Sequence, residues 1–425
     1  MTENTNNFVT LQRNIRIMKK LLIALCALGL FASCSKSDDE EEQAGRTVFI
    51  YMAAENNLGY DSYGDRFAYE DIVEIKKGVK NIGNNHLVIY VDKCKDPDEK
   101  YNDPTPYMLH FHEGELKDSI PMEETYTADP AIFESVARKA FTTWPAKSYA
   151  LSLWGHGTGW NISNDSVKYN ARRRAYGGDT GDNSYSSAGR YWMNIPSMKL
   201  ALSRLPHLDY IFADCCNMMC LEVAYELKDV TDYLFGSPAE IPADGAPYNK
   251  IVTEMFNTNI SSVYKNIIDH YRDSKSVPLS CVKTSEMVNL ANATKAVLKN
   301  MKAKHGDAFS YPDMSDLIHY YYDYTNKQEF YDANDFVLKY ADTGDYNTWK
   351  QALDKAVVYK KIAYSWDTNK SWNYYYVDFE MTEEKFGGVS MFVPTWRQKA
   401  TENKTIQQMG WYYAAGYNEI GWEEQ

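Results

Sequence analysis

Two short segments carry side chains whose types and neighbours suit covalent chemistry. Gly155-His156-Gly157-Thr158-Gly159 places an imidazole in a glycine-rich turn directly after the apolar run Tyr149 to Trp154. Glycines there let the chain turn tightly and bring backbone N–H groups close to a bound molecule. Asp214-Cys215-Cys216 follows the apolar run Leu208 to Ala213 and leads into a helical pattern from Met218 to Lys228. A thiol at a strand-to-helix junction lies near the positive end of a helix dipole, which lowers its pKa, and an imidazole alongside lowers it further. Each element is weak by itself, because a loop His more often hydrogen-bonds than catalyses and Cys is among the most buried residue types. Placed after successive strands, the two together describe a nucleophile and its base.

A frame must hold them. Thr47 to Met52, His86 to Val91, Tyr149 to Trp154 and Leu208 to Ala213 are near-continuous apolar runs of strand length, suited to a sheet buried on both faces. Helical periodicity separates them, as at Asp129 to Phe141 and Pro196 to Leu205. Strand, helix, strand in succession predicts βαβ crossovers and a mostly parallel sheet, with working residues beyond the carboxyl ends of the strands. Further strands are expected at Tyr233 to Phe235 and Leu279 to Val282, and helices around Tyr248 to Phe256 and Met287 to Met301. The α/β core is predicted to span residues 46–303. Residues 304–425 form a C-terminal α+β extension with Tyr-rich stretches, Tyr320 to Tyr322 and Tyr374 to Tyr376, and a strand-like close at Gly388 to Pro394.

A chain of 425 residues suggests two or three domains and length enough for a large core. Hydrophobic residues at 44% and charged residues at 24% exclude disorder as the main state, and collagen-like, coiled-coil and polytopic membrane classes drop out. Net charge of −13 repels phosphate backbones, so nucleic acid is not an expected partner.

The N-terminus reads as a targeting signal. Leu21 to Ala32, preceded by Lys19 and Lys20, is too short to span a bilayer but fits a signal-peptide core, with Met18 as an alternative start. The run ends Leu30-Phe31-Ala32-Ser33-Cys34, similar to a bacterial lipobox in which Cys34 is lipidated. Residues 1–33 are then a signal peptide, and 34–45, with the acidic run Asp38 to Glu42, a lipid-anchored tether. The expectation is an exported outer-membrane lipoprotein facing the surface or the periplasm, touching the membrane only through its lipid. Beyond Cys34 lie Cys94, Cys215, Cys216, Cys220 and Cys281, an odd number that directs attention to the 215–220 cluster.

Several blocks in order carry a family resemblance: Val48 to Leu58 (VFIYMAAENNL), Trp154-Gly155-His156-Gly157, Asp214-Cys215-Cys216-Asn217-Met218, Glu222 to Leu227, Ser237 to Pro242, Gly245 to Tyr248 and Gly388 to Pro394. This arrangement resembles the clostripain family of cysteine peptidases, of the caspase, gingipain and legumain clan, over about residues 46–395. The resemblance implies a caspase-like three-layer α/β/α sandwich. It also implies hydrolysis of peptide bonds after Arg or Lys, with Cys216 as nucleophile, His156 as base, and the N–H groups of Gly157 and Cys216 as oxyanion donors. Cys215 stands where the family usually has Ala, and Cys220 is expected one helical turn beyond Cys216; both read as packing residues. Asp214 matches an acidic position of the specificity pocket and Asp244 a second, although a strand end and an Ala-Asp-Gly turn explain the same residues.

Lys168, Arg172, Arg173, Arg174 and Arg190 lie in a Gly-, Ser- and Asn-rich stretch between His156 and Cys216. The family's activation mechanism makes them candidates for self-cleavage, while a solvated charge cluster accounts for them equally. Asp179, Asp182 and Asn183 are calcium-ligand types, and clostripain itself resembles a calcium-dependent enzyme, but their spacing fails the twelve-residue calcium loop. His110 and His112 share a strand face without a third ligand in view and read as a surface pair. No metal and no cofactor is assigned. The expected partner is a protein or peptide substrate and the expected state a monomer. A lipoprotein that binds peptide or glycan without catalysis would account for the anchor and the aromatics, but not for the His-Gly and Asp-x-Cys blocks.

Overall fold

Arg46–Ala54 is buried at every position, as expected of a strand packed on both faces, and this β1 lies inside the main sheet. The computed structural model describes residues 43–97, 103–161, 175–185, 189, 191–322, 328–364, 366, 379–394 and 406–422. After β1 come β2 (His86–Lys93), β3 (Tyr107–His112), β4 (Glu115–Pro121) and β5 (Ser148–Trp154). Then follow β6 (His156–Gly157), β7 (Tyr176–Asp179), β8 (Tyr191–Met193), β9 (Leu208–Asp214) and β10 (Thr231–Gly236). The remainder are β11 (Leu279–Lys283), β12 (His319–Tyr322), β13 (Gln328–Asp332), β14 (Val357–Lys361) and β15 (Ser390–Met391).

Nine of these strands make one sheet in the order β14-β11-β10-β9-β5-β1-β2-β3-β4. Its centre, β2-β1-β5-β9-β10, is parallel, and two antiparallel strands flank it on each side. Val48, Ile50 and Met52 point to one face, where they join Ile72 and Ile75 of helix α1 (Phe67–Gly78). Phe49, Tyr51 and Ala53 point to the other, against Phe133 and Phe141 of α2 (Pro130–Thr143) and Met198 of α3 (Ile195–Leu202). Helices therefore cover both faces, and the expected α/β/α sandwich is observed. α2 starts where its sequence directs: the Asp129 carboxylate accepts the Ala131 N–H at 2.7 Å and Pro130 opens the first turn.

Downstream are α4 (Leu221–Glu226), α5 (Tyr248–Ile251), α6 (Ile260–Ser274), α7 (Met287–His305), α8 (Ala333–Tyr340), α9 (Thr343–Ala356) and α10 (Gly410–Ala414). Residues after 303 extend the same body, since Ala44–Gln425 forms one compact unit. β14 supplies an edge strand of the main sheet, and the Trp349 indole of α9 donates to the Thr294 hydroxyl of α7 at 2.9 Å. Among the described residues no helix is long and apolar enough to cross a membrane.

The pair His110 and His112 acquires a third member across the β2–β3 register. His86 Nδ1 lies 3.0 Å from His110 Nε2, whose other nitrogen is 2.9 Å from Asp118, and the His110 ring is buried against Trp144. Burial, together with the neighbouring imidazoles, pushes His86 down from 6.5 to about 4, and burial lowers His110 despite Asp118. A lowered imidazole pKa means that the unfolded chain binds the proton first, so the contribution to stability is full above about pH 6.5 and falls as pH drops toward 4. Calorimetric melting between pH 7.5 and 4.5 is expected to show a Tm loss that is smaller in His86→Gln; equal losses would contradict the assignment.

Candidate active site

β5 and β9 are neighbours with Trp154 opposite Asp214, so the chain two residues beyond each, at His156 and Cys216, leaves the carboxyl edge of the sheet side by side. Gly157 brings the two loops into contact. A Cβ at this position would lie 2.6 Å from the Cys216 carbonyl oxygen and 3.1 Å from the Cys215 Cβ. Only glycine lets β6 rest on the cysteine backbone, which puts the Gly157 and Cys216 amides in one region beside the thiol. Gly157→Ala is expected to displace that loop and lower kcat/KM about 100-fold, the usual cost of an ångström-scale misplacement at a reacting centre; activity within threefold of wild type would refute the contact's importance.

The His156 ring is fixed by Asn57, whose Oδ1 lies 2.9 Å from Nε2. An amide oxygen only accepts, so Nε2 carries the proton and Nδ1 keeps the lone pair of a base. Trp192 flanks the ring at 5.9 Å between centroids. Sequence reasoning quoted Asn57 within a block but gave it no role. The available signal was three polar residues, Glu55-Asn56-Asn57, directly after a fully buried strand, at the sheet edge where ligands bind.

Cys216 is half-buried in a turn, and its Sγ accepts the Ile241 N–H at 3.4 Å, a contact that favours thiolate. The expected helix from Met218 does not begin there. Cys220 is the N-cap of α4, and Asn217, at φ +58°, breaks the chain direction first. The helix dipole therefore does not reach Cys216, and Cys220 is not a helical turn beyond it. Cys220 instead pairs with Ser390, whose N–H donates to Met219 O at 3.0 Å. The buried Glu222 accepts the Phe392 N–H at 2.8 Å, so the segment around β15 buttresses the cysteine loop. Cys215 and Cys220 are fully buried, which raises both thiols well above the ordinary value.

Asp214 ends β9 almost wholly buried. It accepts the Tyr271 hydroxyl at 3.0 Å and the Ala246 N–H at 3.2 Å, yet desolvation still pushes it up to about 6. Gly245 closes over the same carboxylate, its Cβ position lying 2.9 Å from Oδ2. Asp244 belongs to that turn, but its side chain is half exposed and paired with Lys275. Lys168, Arg172, Arg173, Arg174, Arg190 and Cys34 lie outside the described residues.

A half-buried thiol and an oriented imidazole at the carboxyl edge of a parallel sheet define a cysteine hydrolase on a caspase-like fold. The clostripain family profile matches residues 50–425, and the chain belongs to that family and is a cysteine-type peptidase of protein or peptide substrates. It is similar to a secreted C11 cysteine protease from Bacteroides thetaiotaomicron, solved in complex with an irreversible peptide inhibitor, at 26% identity and TM-score 0.68 over 88% of this chain and 100% of that one. An inactive zymogen C11 protease from Parabacteroides distasonis is 26% identical, with TM-score 0.69 over 88% of this chain and 98% of that one. A second secreted C11 protease from Bacteroides thetaiotaomicron, 20% identical with TM-score 0.65 over 88% and 99% of the two chains, shares the fold. No curated protein matches the sequence.

Proposed function

We propose that the chain is an exported endopeptidase that cleaves after Arg or Lys with Cys216 and His156 as its dyad. The observation that carries the reading is the meeting of three residues at one sheet edge: a half-buried cysteine, a histidine oriented through Nε2 by Asn57, and a buried aspartate two residues before the cysteine. His156 Nδ1 takes the thiol proton as Sγ attacks the scissile carbonyl carbon, and the Gly157 and Cys216 amides hold the resulting oxyanion. The C–N bond breaks as His156 returns the proton to the leaving amine. Water, deprotonated by His156, then releases the acyl group. Asp214 is the fixed countercharge for the P1 guanidinium or ammonium, with Asp244 a weaker contributor at the rim.

The same specificity makes the stretch holding Lys168, Arg172 to Arg174 and Arg190 a site of self-cleavage; one similar structure is of a zymogen. Two similar proteins are secreted, in keeping with the signal-like Leu21 to Ala32 and lipidation of Cys34. The test is hydrolysis of fluorogenic peptides with Arg, Lys or Ala at P1 by residues 44–425, with gels for nicking between 160 and 200. Turnover of Arg or Lys but not Ala peptides is expected. No turnover even after that stretch is cut by an added protease would replace the proposal with non-catalytic peptide or glycan binding.

A further inference from the structure

His110 and His112 share one face of β3, and antiparallel pairing brings a third imidazole to that face. His86, at the start of β2, is the direct partner of His112, and Val88, two residues on, is that of His110. In such a pair the opposed side chains stand about 5 Å apart, and residues i and i+2 of one strand about 7 Å apart. Three imidazoles on these positions can close around one ion.

Two of the rings are aimed by a group behind them. His110 Nδ1 lies 2.9 Å from the Asp118 carboxylate, and the buried ring stacks on Trp144 at 4.3 Å between centroids. His112 Nδ1 lies 3.0 Å from the Asn85 carbonyl oxygen. A carboxylate and a carbonyl only accept, so both Nδ1 atoms carry protons and both Nε2 atoms keep lone pairs. Partners of this kind are the usual outer support of imidazoles that bind metal, because they fix both tautomer and ring direction.

His86 Nδ1 already stands 3.0 Å from His110 Nε2. Two nitrogens bound to one tetrahedral ion at about 2.0–2.1 Å are about 3.3 Å apart, so a widening of about 0.3 Å admits the ion. The Nδ1 proton of His86 then moves through solvent to its Nε2, a change of tautomer with no net proton released. His112 stands further off. Its ring stacks on His86 at 4.6 Å and lies 6.3 Å from His110 between centroids, so this half-buried ring shifts inward to become the third ligand.

We propose that His86, His110 and His112 bind one divalent cation of the imidazole-preferring class, Zn²⁺ foremost, with water in the fourth position. Neutral nitrogen donors select Zn²⁺, Ni²⁺ or Cu²⁺ over Ca²⁺ and Mg²⁺. His86 and His112 are only half-buried, which leaves an approach from solvent, and Lys117 of the neighbouring β4 is paired with Glu115 at 2.8 Å. The site lies at the amino ends of the parallel strands, where Thr47 of β1 is opposite His86, whereas His156 and Cys216 leave the carboxyl edge. An ion there clamps β2 to β3 and acts on stability, and the inference does not rest on the peptidase reading.

The experiment uses tag-free residues 44–425 bearing Cys216→Ala, so that the active-site thiol does not compete for metal. Calorimetric titration with Zn²⁺ at pH 7.5 is expected to give about one site per chain, unchanged by excess Mg²⁺. A free concentration a hundredfold above Kd should raise Tm by about 5 °C. His86→Gln and His112→Gln alter half-buried positions, so both should stay folded and lose more than about 100-fold in affinity, while Asp118→Asn should lose about 10-fold, as an outer partner does. Cu²⁺ bound in place of Zn²⁺ should show nitrogen couplings from imidazole in its paramagnetic resonance spectrum, a readout on the parent chain that needs no further variant. Absence of heat and of a Tm shift with Zn²⁺, undiminished affinity in either glutamine variant, displacement by Mg²⁺, or a Cu²⁺ spectrum without nitrogen couplings would each overturn the site.

Discussion

Cys216→Ala is expected to remove peptidase activity, lowering kcat by about 10⁴–10⁶-fold, whereas Cys215→Ala and Cys220→Ala retain the chemistry. The argument rests on accessibility and ionisation. Cys94, Cys215, Cys220 and Cys281 are buried, and desolvation raises each thiol, Cys94 to about 12. A thiol in that condition neither ionises at neutral pH nor meets a substrate. Cys216 is the half-buried member of the five, and the Ile241 N–H points at its sulfur. Iodoacetamide should therefore label native protein once, at Cys216, and labelling should parallel loss of activity. His156→Ala is expected to cost about as much as the cysteine change, since neither group reacts without the other. Labelling spread over several cysteines, or a Cys216→Ala variant with more than a hundredth of normal activity, would sink the dyad.

Much of this arrangement was legible in the sequence because parallel strands buried on both faces are written as unbroken apolar runs. Thr47 to Met52 and Leu208 to Ala213 gave their strands to within about two residues, and the parallel order then placed His156 and Cys216 at one edge. The local helix after Cys216 was misplaced for a physical reason. Met218 to Lys228 is apolar with helical spacing because it is buried except at Tyr225 and Lys228, and Asn217 in a left-handed conformation delays the helix to Leu221. Tyr248 to Phe256 likewise splits into a short α-turn and a 3₁₀ turn. β14 and β4 were missed because edge strands are partly exposed and lose the apolar signature: every residue of β14 is only half-buried, and β4 is exposed at all but one position. The hold of Asn57 on His156 and the approach of His86 to His110 depend on side chains brought together from distant segments, which no local pattern records.

Asp214→Asn is expected to lower kcat/KM for an Arg peptide about 100- to 1,000-fold while changing an Ala peptide by less than threefold. Removing the countercharge from a buried pair leaves a desolvated guanidinium alone, and that loss is typically about 3–5 kcal/mol. Asp244→Asn should cost less than about fivefold, because an exposed carboxylate already paired with Lys275 acts through solvent. Acid pH should reproduce the first effect without mutation. Burial raises Asp214 to about 6 against the opposing Ala246 and Tyr271 hydrogen bonds, so below that pH the Asp214 carboxyl of the free enzyme is neutral. The ratio of kcat/KM for Arg over Ala peptides cancels the ionisation of the dyad and is expected to fall as pH drops through about 6, with Asp214→Asn showing a flat ratio. Stability moves in the opposite sense. A raised carboxyl pKa means that the folded chain binds the proton more tightly, so this group favours folding below about 4 and loses that contribution as pH rises through about 6. Asp214→Asn should accordingly melt no lower than wild type at pH 7.5, which separates lost recognition from lost structure. An Arg-to-Ala ratio unchanged by both the mutation and pH would place the P1 countercharge elsewhere and leave Asp214 as a cap on β9.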